Sequence, residues 1–297
     1  MKTAGEEKDS GDLAKIKAVF EQFHDQFSAR EQRTINLLMD QSVYFKKFWQ
    51  SKMMNEQLQT IPQSEMAPIL RLLESSAEKV PGMEIIPVAR TGMVKDNILK
   101  ALESIHANVE IRSKIDELFR AQDKAKQVEL INQIYNLNKG KRNYITGNRA
   151  VILNGLLYLY APDKNLAVLS LRDRYMIMDY LGIPRDDLTN KTPGEQVIET
   201  RERLLEFKEK LRPGVSTWEY SKFLYDESMK PGWKKKRKGD ANRGAGSSEG
   251  AGQIGPNWWI EKATQSKHKL EQPGLPETAF GKSLWSPQKS GNQRRWE

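Results

Sequence analysis

The chain has 297 residues, 38% hydrophobic and 29% charged, which is long enough for one or two domains and reads as a polar, soluble protein. It has no cysteine, which excludes disulfides, thiolate catalysis and cysteine zinc sites, and it holds no 18-residue apolar run to span a bilayer. The net charge of +9 is lopsided: residues 230–297 carry 14 Lys and Arg against 6 Asp and Glu, net +8, leaving 34 against 33, net +1, for residues 1–229. A neutral body with a basic tail points to an anionic partner for the tail; a tail that only aids solubility is the plainer alternative.

The N-terminus has no apolar core and carries acids, so it is no secretory signal, and residues 1–11 read as frayed. Leu13, Ile16, Phe20, Phe23 and Phe27 follow a 3,4,3,4 spacing, one stripe of a helix. After Ser28 the stripe resumes with Ile35, Leu38, Phe45 and Trp49, and Ser42 stands where an apolar residue would fall. The spacing predicts one long helix or a hairpin bent near Ser28, with the aromatic stripe serving as core or as a seam for a partner or a second copy. His24 reads as a partly exposed helical residue. Prolines 62, 68, 81 and 87 break the next stretch. A short helix fits 66–80 and an extended piece fits 82–91. Helical periodicity returns from Val94 through Ile98, Leu102, Ile105 and Val109, then Ile111, Ile115, Leu118 and Phe119. A further helix covers 125–137 with Val128, Ile131 and Ile134 inward, stopped by Asn138-Lys139-Gly140.

The most apolar stretch is 147–182. It predicts a buried helix over 150–160, then a helix capped by Ser170 and closed by Gly182. Two last helices fit 193–211, with Thr192 as cap and Pro193 at the first position, and 216–229. Lys230-Pro231-Gly232 ends the second. The Gly- and Ser-rich stretch after it cannot bury enough apolar surface to order itself, so 231–255 reads as a linker.

Motifs for catalysis are sparse. There is no phosphate-binding GxxxxGK[ST], no HExxH and no GxSxG, and the three histidines lie far apart. Asp173, Asp179, Asp186 and Asp187 could supply acids to a divergent metal nuclease, yet their spacing equally suits solvated helix faces. No catalytic residue, metal or cofactor is expected. The run Lys234, Lys235, Lys236, Arg237 and Lys238 could contact phosphates and make binding salt-sensitive; it could also merely solvate a linker, and by letters alone it is similar to a nuclear-localisation signal.

Residues 256–297 hold four of the seven tryptophans. Paired aromatics (Trp258, Trp259) are followed by a polar excursion, the turn Leu284-Trp285-Ser286-Pro287, a basic loop with Lys289, Arg294 and Arg295, and Trp296. This segment resembles the opening of an EVE-type (PUA-like) domain, the modified-base reader of McrB-like modification-dependent restriction proteins. The runs GNRAVILNGLLYLYAPDKNLAVLSLRDRYMIMDYLGI, TPGEQVIETRERLLEF and STWEYSKFLYD, within about 145–228, are similar to the helical domains that precede EVE-like domains. The resemblance implies DNA, modified or not, as partner and a prokaryotic cytoplasm as location. It covers about a third of such a domain, so the rest of the barrel is expected beyond Glu297. Tryptophans beside cations suit base stacking and phosphate contact; packing of a small β-barrel core is the other reading of Trp258, Trp259 and Trp285.

The expectation is therefore a mostly α body over 12–230, split near 80–93 or 140–147 if it is two subdomains. A basic linker over 231–255 and an incomplete β-containing segment over 256–297 come after it. The function expected is DNA recognition in a restriction or antiphage system, with a helical interaction module as the alternative.

Overall fold

The computed structural model describes residues 4–88, 93, 95–234, 285–287 and 293–295. It divides into two compact units, Met1–Gly246 and Ser247–Glu297, and the described residues of the first unit are helices joined by turns and loops.

α1 (Ala4–Phe48) runs unbroken for 45 residues. It passes Ser28 without a break, so no hairpin forms there, and its backbone is helical from Ala4 rather than frayed to residue 11. The stripe explains its length, because both halves are covered by the chain itself. Phe20 is buried and meets Phe223 edge-on, with centroids 4.9 Å apart and planes at 89°; Phe23 lies 5.5 Å from the same ring. Leu38, Phe45 and Trp49 are buried in the first core cluster, and Phe20 in the second. Burying such side chains contributes roughly 1.5–3 kcal/mol each, far more than the propensity cost of a mid-helix serine. Ser42 fits the stripe because its hydroxyl donates to the Tyr160 carbonyl at 2.9 Å. The helix then widens into a π-turn, Trp49–Met53, with both end residues buried. The Trp49 indole N–H donates to Asp116 at 3.0 Å.

α2 (Gln63–Leu73) is shorter than predicted. Residues 82–88 form no strand among the described residues. They dock instead on the helices: the Val88 N–H donates to the Leu72 carbonyl at 2.8 Å, and the Gln41 carboxamide brackets the Ile86 backbone at 3.0 and 2.7 Å. The helical stretch after 94 is two helices, α3 (Lys95–Ala107) and α4 (Val109–Arg120). Asn108 causes the break, its side chain accepting from the Ile111 N–H at 3.0 Å as an N-cap. Val109, predicted inward, becomes the first residue of α4 and is 55% exposed. α5 (Lys124–Leu137) buries Ile131 and Ile134, with Val128 half-buried, and stops at Asn138.

α6 (Val151–Tyr160) is buried on nearly every side. α7 (Leu171–Tyr180) starts after Ser170, but the Ser170 hydroxyl caps nothing; the Leu171 N–H is taken by the Arg149 carbonyl at 2.9 Å. α8 (Pro193–Leu211) has its predicted bounds, set by the reciprocal capping box of Thr192 and Glu195. It pairs extensively with α5. α9 (Thr217–Leu224) is shorter than predicted, with turns over 225–229. The Lys230-Pro231-Gly232 stop is instead the start of α10 (Lys230–Trp233). Trp233 is buried there, its indole N–H donating to the Leu224 carbonyl at 2.6 Å and its ring lying edge-on to Tyr225. The body core thus reaches into the segment read as linker.

Among the described residues two core clusters result, and α1 contributes to both. Residues on both sides of 80–93 and of 140–147 share the first cluster. No helix among the described residues is long and apolar enough to cross a membrane. In the second unit β1 (Trp285–Pro287) and β2 (Gln293–Arg295) pair antiparallel.

Candidate nucleic-acid interface

The connection from α5 to α6 carries a group of cations that form no ion pair among the described residues. Residues 139–149 read KGKRNYITGNR, and no Asp or Glu occurs anywhere in 130–162. Lys139, Lys141, Arg142 and Arg149 are all exposed. None of the four forms an ion pair among the described residues, whereas cations elsewhere on the body often do: Arg203 holds Asp187 at 2.6 Å, and Lys114 holds Glu117 at 3.0 Å.

Loops of this length are often mobile, but this one is internally fixed. Asn138 is buried and exchanges amide hydrogen bonds with Asn143 at 2.9 Å in both directions. It also donates to the Thr146 hydroxyl at 2.7 Å. Ile145 is buried in the first core cluster, and the Tyr135 hydroxyl donates to the Gly147 carbonyl at 2.9 Å. The last residue of the loop is tied to α7 by the Leu171 N–H to Arg149 carbonyl bond, and Arg172, the next residue, is exposed. These restraints hold two non-glycine residues in the left-handed region, Tyr144 at φ +65° and Ala150 at φ +49°. Each such residue costs about 1–2 kcal/mol, which the surrounding bonds and the Ile145 anchor offset.

Tyr144 is 44% exposed and makes no hydrogen bond or ring contact among the described residues. The other exposed tyrosine differs: the Tyr180 ring lies against Gly232, 2.3 Å from where a Cβ there would stand. Among the described residues the loop therefore presents one unpartnered aromatic ring and four unpaired cations on a fixed backbone. Phosphate contact by the cations and stacking on the ring are the two things this arrangement can do. Its signal in the sequence is an acid-free window of basic residues around a tyrosine.

Of the predicted tail residues, Lys234 is exposed just after α10, so the start of the basic run is tethered to the body by Trp233. Lys235, Lys236, Arg237, Lys238, Trp258, Trp259, Lys289 and Trp296 lie outside the described residues. Trp285, Arg294 and Arg295 lie in the hairpin, where Trp285 stands opposite Arg295 and Ser286 opposite Arg294. The backbone pairing thus brings a tryptophan and an arginine to facing positions.

Of the four candidate aspartates three are engaged elsewhere, and Asp186 is exposed at the start of the short 3-10 turn Asp186–Leu188. Asp173 accepts from the Tyr225 hydroxyl at 2.9 Å, Asp179 pairs with Arg185 and Asp187 with Arg203. Among the described residues no three His, Asp or Glu side chains gather as a metal site. His24 is half-buried and contacts Glu219 of α9, so it fastens α1 to the body. Arg174 is buried and donates to the Val168 and Val197 carbonyls at 2.8 and 3.2 Å. Burial, followed by the neighbouring Arg201 charge, pushes its pKa down to about 9; its bonds serve the core. The Phe20, Phe23 and Phe27 stripe packs within the chain, while Met39 and Val43 of α1 are left exposed.

No protein-family model, curated protein or solved structure matches the chain.

Proposed function

We propose that the chain is a DNA-binding component of a modification-dependent restriction or antiphage system, holding the phosphate backbone with the 139–149 loop and the basic tail. The observation that carries this reading is the loop itself. Four exposed cations without carboxylate partners stand on a backbone fixed by buried Asn138 and Ile145. Surface cations that only maintain solubility need no such positioning, and elsewhere on this body many are paired with acids. The tail adds a second basic element to the same chain, and its EVE-like sequence gives the finer part of the reading, recognition of a modified base. Any nuclease or nucleotide hydrolase would then be supplied by a partner or by another part of the same system.

The test is a titration of the chain against fluorescent duplex DNA, unmodified or carrying 5-methylcytosine or 6-methyladenine, across a salt series. Binding that weakens steeply with salt supports the DNA reading, and a preference for one modified duplex supports the finer one. Absence of binding at low salt, where counterion release favours phosphate contacts most, would remove both.

A further inference from the structure

We infer that Tyr144 is a stacking platform for an unpaired base, which makes the 139–149 loop a site for single-stranded DNA. The inference rests on the proposed DNA-binding function and adds a substrate form to it. Its grounds are conformational. A tyrosine at φ +65° occupies backbone that asparagine or glycine would adopt at lower cost, and strain of this kind concentrates where a side chain has a task. The ring is 44% exposed, and no hydrogen bond or ring contact among the described residues accounts for the strain.

The surroundings fit one ligand class. Arg142 lies two residues before Tyr144 and Lys141 three before, and both are exposed. A base on the ring would thus have its phosphates within the reach of cations, the pairing of stacking and charge that holds single strands. In a duplex the base faces are covered by their neighbours, so the ring can add nothing there while the cations still can.

The experiment compares the full chain with Tyr144→Asn and Tyr144→Phe for binding of a fluorescent oligo-dT and of an unmodified duplex of matched length. Asparagine accepts the left-handed backbone and removes the ring, so its melting temperature should equal or exceed that of the parent. The expected result is a loss of about 5- to 100-fold for oligo-dT in Tyr144→Asn, duplex affinity within about twofold, and near-parental binding of oligo-dT by Tyr144→Phe. Parental oligo-dT binding by a folded Tyr144→Asn chain would overturn the inference and leave the DNA reading intact, as would equal losses on both ligands. A parent chain that binds neither ligand would remove the DNA reading first and this inference with it.

Discussion

Gly194 lets the first turn of α8 lie close against α5, and Gly194→Ala tests whether the helices are packed as described. A Cβ at this position would stand 2.3 Å from the Val128 carbonyl oxygen and 3.0 Å from Asn132 Oδ1, where ordinary contact begins at 3.4 Å. The obstacle is backbone, so no rotamer change relieves it, and the first turn of α8 must back away from α5 by roughly an ångström. That movement breaks the Gly194 N–H bond to Asn132 at 2.9 Å and disturbs the Asn132 bond to Thr192 at 3.1 Å. Overpacking costs about 1–3 kcal/mol and each hydrogen bond about 0.5–1.5 kcal/mol. Alanine returns up to about 1 kcal/mol of helix propensity. The net loss is about 2–4 kcal/mol, a fall in melting temperature of roughly 5–15 °C for a body of this size, read by far-UV circular dichroism. Gly147→Ala is the control, since nothing lies within 4 Å of a Cβ there; it should change stability by less than about 0.5 kcal/mol. A Gly194→Ala protein that melts within about 2 °C of its parent would refute the close approach of these two helices.

Trp233→Ala should cost about 3–5 kcal/mol, because the indole is buried and hydrogen-bonded to Leu224; an unchanged denaturation midpoint would return Trp233 to the linker. Tyr158→Phe and Tyr225→Phe should differ in sign. The buried Tyr158 hydroxyl has no partner, so its loss should be neutral or stabilising by about 1 kcal/mol, whereas Tyr225→Phe leaves the Asp173 carboxylate unpaired and should destabilise by about 1–3 kcal/mol. Chemical denaturation of the two variants side by side decides it. Alkaline pH should unfold the body. Burial raises the pKa values of Tyr158, Tyr220 and Tyr225 above the ordinary 10.0, with the Asp173 charge adding to the rise at Tyr225. The unfolded chain therefore loses these protons first, and stability is full below about pH 10 and falls as pH rises beyond it. Tyrosinate absorbance and far-UV ellipticity followed together should show these rings ionising only as the helices melt; early ionisation with ellipticity intact would contradict their burial.

Much of the helical body is legible in the sequence because its signals are local. Thr192, Pro193 and Glu195 mark the start of α8 within four residues, and the 3,4 stripe of α1 names Phe20, Phe45 and Trp49 as inward-facing. The misses have tertiary causes. Whether α1 bends at Ser28 depends on what covers both halves of its stripe, and that cover, Phe223 and Phe119, comes from far along the chain. Ser170 stands at the N-cap position of α7 as its sequence suggests, but its hydroxyl accepts no helix N–H, which no local pattern reveals. Trp233 looks like the edge of a linker because its partners, Leu224 and Tyr225, become its neighbours only once α9 stops early.

The candidate site escapes sequence reading for a different reason. Summing charge over residues 1–229 gives a near-neutral body, which averages the acid-free stretch 130–162 with ion-paired helices on either side. Asn138-Lys139-Gly140 reads as a helix stop. It is that, with Gly140 at φ +77°, but the same turn also opens the basic loop. Charge density over a short window, weighed against how firmly the window is anchored, finds it.

Whether the 139–149 loop contacts DNA phosphates is decided by the salt dependence of binding. Each phosphate contact on duplex DNA contributes roughly −0.9 to the slope of log affinity against log salt. Replacing Lys139, Lys141, Arg142 and Arg149 together by alanine should make the slope shallower by about 3 to 4 while the melting temperature holds. A variant that keeps the parental slope and affinity would contradict a role for the loop in holding DNA.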